Sequence, residues 1–130
     1  MEDLTLEQIN ELASAYCDMA RSLNEFQVVH WSQLTHEQQL DLNAYQNSLL
    51  DRAQAIQMRT TRPAFTNAHQ MTGRILEGTH KARTSLQQLD DLPVAINVGA
   101  ITVALAAYAA RANARGIEIA LRELDDLTKA

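Results

Sequence analysis

Cysteine is nearly absent from this chain. Cys17 stands alone among 130 residues, so no internal disulfide can staple the fold, and the composition fits a reducing compartment. Glycine and proline are scarce as well, four and two. A sheet protein needs turn residues between short alternating strands; with few of them and no strand-type alternation, long helices are what remains. Aromatic residues make up 5% of the chain, and none are interleaved with its basic residues in the manner of a nucleic-acid stacking platform. There is no Gly-rich phosphate loop, no Gly-x-Ser-x-Gly elbow and no paired-cysteine zinc spacing. The opening residues, Met1 to Gln8, are acidic and polar where a secretory signal is positive and then apolar. No targeting segment is expected, and the expected location is cytoplasmic.

What is present is a single-domain length rich in strong helix formers. Leu4-Thr5-Leu6-Glu7-Gln8 and Leu34-Thr35-His36-Glu37-Gln38 share one start signal. In each, Thr caps the first free N–H groups, Gln three residues on reaches back, and Glu sits in the positive first turn. The first helix is expected over Leu6 to His30, with a core stripe of Ile9, Leu12, Ala13, Tyr16, Met19, Ala20, Leu23 and Phe26. The second, His36 to Arg59, has a thinner stripe and should be the most exposed. Between them, Trp31 is expected to cover one end of the core. A third helix is expected from Pro63 to Leu89, capped by Thr61 and with Pro63 in its first turn. Its seam, Phe65, Ala68, Thr72, Ile75, Thr79, Ala82, Leu86 and Leu89, alternates three and four apart.

Leu92 to Ala110 is the most distinctive stretch. It is uncharged, lies between Asp90-Asp91 and Arg111, and as a helix has almost no polar side, so other protein or lipid must cover it. Asp90 or Asp91 can cap it and Pro93 suits its first turn. One seam, Ile96, Ala100, Val103, Ala107, Ala110, Ala114, Ile117, Leu121 and Leu124, keeps phase through Gly116. It predicts an unbroken helix to about Leu127, with Asn113 to Gly116 as the alternative break. A second apolar face, Val94, Val98, Ile101, Leu105 and Tyr108, has no evident cover. The expectation is one all-α domain over residues 1–130. It is an antiparallel bundle of four long helices, or five with a short C-terminal one, and the Ala-rich fourth helix is its hub.

Charge is uneven. Up to Asp51 nine acidic residues face Arg21 alone, and from Arg52 to Leu89 six basic residues face Glu77 alone. The halves should attract, and the acidic helices could steer a basic partner. Arg74 and Lys81 share an outer face, but the net charge of −5 speaks against phosphate-backbone binding. Glu77-Gly78-Thr79-His80 has the Glu-x-x-His spacing of carboxylate-bridged metal bundles, without a second such motif. Neither a metal nor a cofactor is expected. Cys17 has no neighbouring cation to activate it, and the short loops leave little room for a catalytic constellation.

The function expected is therefore non-catalytic: a protein–protein interaction module of adaptor, inhibitor, immunity or chaperone type. It would form a homo-oligomer or hold a partner through Val94, Val98, Ala100, Ile101, Ala104, Leu105, Ala107 and Tyr108. Two alternatives stand beside it, membrane insertion through residues 92–110 and a carboxylate/His metal-binding bundle.

Overall fold

Thr5 and Thr35 open the two longest helices as the sequence requires. In each case the hydroxyl accepts from the Gln backbone N–H three residues on at 3.1 Å, and the Gln side chain accepts from the Thr N–H at 2.9 Å. The computed structural model describes residues 1–59 and 62–129. Among these residues, five α-helices follow in order: α1 (Leu6–Val29), α2 (His36–Met58), α3 (Ala68–Leu86), α4 (Leu92–Ala110) and α5 (Ala114–Thr128). A 3-10 turn, Trp31–Gln33, joins α1 to α2, and two-residue strands β1 (Glu2–Asp3) and β2 (Ala64–Phe65) pair antiparallel. The protein is an all-α bundle.

α1 packs against α2 and α3, while α4 packs against α2, α3 and α5. At Gly99, α4 also comes close to Leu23 of α1. The whole apolar stripe of α1 is buried, and so is every member of the α3 seam except Leu89, which is half-buried. α2 buries only Leu42, Leu49, Ala53 and Ile56.

Two helix boundaries and the placement of one residue differ from the leading expectation. The third helix begins at Ala68, not Pro63, because Asn67 is the cap: its side chain accepts from the Gln70 N–H at 3.2 Å. Pro63, which cannot donate, lies outside the helix, just before Ala64–Phe65; its carbonyl accepts from the Leu4 N–H at 2.9 Å, tying the N-terminus to the linker. The proposed cap Thr61 lies outside the described residues. The fourth helix does not run on to Leu127. It stops at Ala110, Ala112 takes a left-handed φ of 53°, and Asn113 restarts the chain as the cap of α5, accepting from the Gly116 N–H at 2.9 Å. Third, Trp31 does not close the core; it is 61% exposed. At that end Phe26 is buried, and its ring centroid lies 4.3 Å from that of His30.

A buried polar network fixes the α1–α2 turn. Gln27 is 3% exposed, yet its Nε2 donates to Gln39 Oε1 at 2.7 Å and Asn43 Oδ1 at 3.0 Å. Its Oε1 accepts from Gln46 Nε2 at 2.6 Å. Gln39 in turn donates to the Trp31 carbonyl at 3.2 Å. Each end of the Gln27 amide thus has a partner, which is what makes its burial tolerable.

Candidate functional site

α4 is a helix that its sequence caps firmly at both ends and then leaves without polar contrast. The Asp91 carboxylate accepts from the Val94 N–H at 3.2 Å, and Pro93 occupies the first turn. At the other end, the Asn113 N–H donates back to the Tyr108 carbonyl at 2.9 Å, and Arg59 donates to the Ala110 carbonyl at 2.6 Å. A cation at carbonyl groups left over by a helix end is favourable on both hydrogen-bonding and dipole grounds.

The buried row of α4 is Ala95, Ile96, Val98, Gly99, Thr102, Leu105, Ala106 and Ala109, eight of its nineteen residues. That row is rotated from the seam expected through Ala100, Val103, Ala107 and Ala110, all of which are half-buried. The break at Ala112 removes the reason to keep one phase from Ile96 to Leu124: each helix packs by its own register.

The eight expected contact residues divide accordingly. Val98 and Leu105 are fully buried inside the single chain and cannot serve an outer contact; they face the same side as Thr102 and Ala109. Val94, Ala100, Ile101, Ala104, Ala107 and Tyr108 are half-buried. With exposed Asn97 they make a strip with spacing four and three, small at its centre. The Tyr108 ring lies over Gly116 of α5, where any Cβ would meet three of its atoms. Beyond the ends of the strip stand exposed Asp90 and Asp91 at one side, and exposed Arg111 and Arg115 at the other. α4 is long and apolar enough to cross a membrane by length and composition.

The other sequence candidates are dispersed. Glu77 is exposed and paired with Lys81 at 3.5 Å, and no group of three or more His, Cys, Asp or Glu gathers in metal-binding geometry among the described residues. Most of the basic residues are already engaged. Arg74 holds Glu118 of α5 through both carboxylate oxygens, and Arg83 reaches Asp18 of α1 at 3.7 Å. The hydrogen bonds from Arg74 hold the Glu118 carboxyl below its ordinary range, and the same bonds raise the Arg74 guanidinium. The expected attraction between halves is thus realised at one α1–α3 contact. An open groove of about 730 Å³ also runs between α1 and α3, with Leu6, Leu76 and Thr79 beside the acidic Glu7, Glu11 and Asp18 and the basic Arg83.

One cluster escaped sequence reading. Tyr16, filed as a core residue, shares a cavity of about 230 Å³ with Arg52, Arg59 and Arg111. Its hydroxyl is buried without a hydrogen-bond partner, and burial pushes its pKa up, with the Arg52 charge pulling the other way. The available signal was a lone phenol in an otherwise hydroxyl-free stripe, because a buried tyrosine usually finds a partner for its O–H.

Comparison with protein-family models, curated proteins and solved structures finds no match to this chain. Its fold and surfaces therefore carry the functional reading.

Proposed function

We propose that the protein acts by binding rather than catalysis, and that the outer face of α4 pairs with a second copy of the same chain. The observation that carries this reading is an uncharged helix of nineteen residues that buries only eight of them within its own fold. Ala100, Ala104 and Ala107 allow a second helix to come close, and Ile101 and Tyr108 supply apolar bulk. Charge selects the direction. Asp91 and Arg111 lie ten residues on either side of Ile101, so an antiparallel copy with its two-fold axis at Ile101 sets each acidic end beside a basic one. A parallel copy would set like charges together. A two-fold interface of this kind is self-complementary, with Val94 facing Tyr108 of the second copy and Ile101 facing itself. The assembled dimer would be an interaction module of the adaptor, inhibitor, immunity or chaperone kind. The acidic α1–α3 groove, left open on each copy, suits a basic partner.

Solution mass tests the pairing. The wild-type chain is expected at twice its 14.5 kDa mass in sedimentation equilibrium, and Ile101→Glu at the single mass with unchanged helicity, since Ile101 is only half-buried. A wild-type chain that stays at the single mass at millimolar concentration sinks the proposal. The length and apolarity of α4 favour membrane insertion as a second reading, and in that case the chain would partition into liposomes instead of remaining in the aqueous phase.

A further inference from the structure

The cavity at Tyr16 contains groups that need a partner the chain does not supply. Tyr16 is 2% exposed, and its hydroxyl is among the few buried side-chain polar atoms that lack one. Such an orphan in an otherwise well-bonded fold calls for an explanation. Its surroundings are cationic. Arg52 is half-buried and Arg59 and Arg111 are exposed, so the site grades from a closed phenol to an open guanidinium rim, with Ile56 and Ala106 as an apolar wall. Among the described residues no carboxylate lines it, and none of these three arginines lies within salt-bridge distance of one. Arg59 is fixed in place by its bond to the Ala110 carbonyl at 2.6 Å, which leaves its other N–H groups free to point at a ligand.

We propose that this cavity binds a phosphoryl anion, as inorganic phosphate or the head of a small phosphomonoester, between the Tyr16 hydroxyl and the guanidinium groups of Arg52, Arg59 and Arg111. Three guanidinium groups with no carboxylate partner within their own chain, among the described residues, favour a ligand carrying about −1.5 to −2 charges and three acceptor oxygens over a singly charged carboxylate. A phenol is an O–H donor at neutral pH, and a donor is what a phosphoryl oxygen requires. At about 230 Å³ the space is below the roughly 300 Å³ at which sites for drug-sized ligands begin. It suits a phosphate with a few carbon atoms on Ile56 and Ala106 and is too small for a nucleotide. Tyr16 and Arg52 belong to α1 and α2 and take no part in the pairing of α4, whereas Arg111 lines this cavity and also ends the paired helix.

The test titrates inorganic phosphate, phenyl phosphate and acetate at constant ionic strength, following backbone amide shifts at Ala106 and Ala110 together with melting temperature. The wild-type chain is expected to show saturable shifts and a higher melting temperature with either phosphate, and neither with acetate. Phenyl phosphate binding more tightly than inorganic phosphate would identify an ester as the ligand; equal binding would identify the free anion. Tyr16→Phe removes only the unpartnered oxygen, so it should fold and be at least as stable as wild type in plain buffer, yet bind phosphate roughly tenfold more weakly. Arg52→Gln should weaken binding similarly without altering solution mass. No saturable response in the wild type, or equal responses in wild type, Tyr16→Phe and Arg52→Gln, would overturn the proposal.

Discussion

Gly73 and Gly116 are both helical glycines, and their surroundings are opposite. A Cβ built on Gly73 meets nothing within 4 Å, whereas one on Gly116 falls 2.5, 2.6 and 2.8 Å from three atoms of the Tyr108 ring. Gly73→Ala should therefore gain the helix-propensity difference, about 1 kcal/mol. Gly116→Ala should lose about 1–3 kcal/mol, the usual cost of overpacking, because the whole ring must leave before a methyl group fits. Urea denaturation of the two variants checks this: opposite signs are expected, and a stabilised Gly116→Ala would mean that Tyr108 is not seated on α5. The sequence displays both glycines but not this difference, since only the folded chain shows which one lies under an aromatic ring.

At the scale of elements, the clasp between α3 and α5 is a contact whose strength should depend on acid. Glu118 accepts from Arg74 through both oxygens, one of the bonds at 2.8 Å, and its pKa is lowered by those bonds. A carboxyl whose pKa is lower in the folded chain adds stability above its unfolded value, and that stability is lost as pH falls through the folded one. Both side chains are about two-fifths exposed, at 40% and 43%, so the contribution should not exceed about 1 kcal/mol. Glu118→Gln is expected to cost up to that amount at pH 7 and to become indistinguishable from wild type in strong acid, below the depressed pKa. Guanidinium chloride would screen the pair, so urea denaturation at the two pH values is the suitable measurement; an equal difference at both would rule out the ion pair as the cause.

The same scale explains what could be read beforehand. The stripes of α1 and α3 were legible because apolar and polar positions alternate in them with helical spacing, so the buried face declares itself. α4 offers no such contrast. With nearly every position apolar, its sequence shows that it must be covered but not which side faces inward, and the expected seam was rotated away from the observed row at Ala95, Gly99, Thr102, Ala106 and Ala109. Its end stood only as the alternative break at Asn113 to Gly116, for a different reason. The left-handed turn falls on Ala112, not on glycine or asparagine, and the apolar phase carried on through it by coincidence. The start of α3 was misplaced because Pro63 and Asn67 both suit a helix start, and the contact that decided, Pro63 with Leu4, is distant in sequence. The arginine cavity was illegible because its members come from α1, α2, the end of α2 and the end of α4.

At the scale of the whole molecule, the proposed pairing depends on direction, and charge provides a way to test direction separately from affinity. If two copies meet antiparallel on α4, Arg111 of each lies near Asp90 and Asp91 of the other. Arg111→Glu alone then places like charges together at both ends of the interface, and like-charge contacts are costly to association. Adding Asp90→Lys to the same chain restores opposite charges at both ends at once, because the two-fold axis repeats every contact. Asp91 is left untouched, since it caps α4. The single variant should dissociate at concentrations where wild type is dimeric. The double variant should recover most of that loss, with the recovery shrinking as salt screens the exposed pairs. A parallel pairing gives a different pattern, because there Arg111→Glu only exchanges one like-charged pair for another and Asp90→Lys does the same at the opposite end, so neither change compensates the other. Sedimentation of the three chains at low and moderate salt separates the two geometries. Loss without recovery would discard the antiparallel arrangement even if a dimer exists.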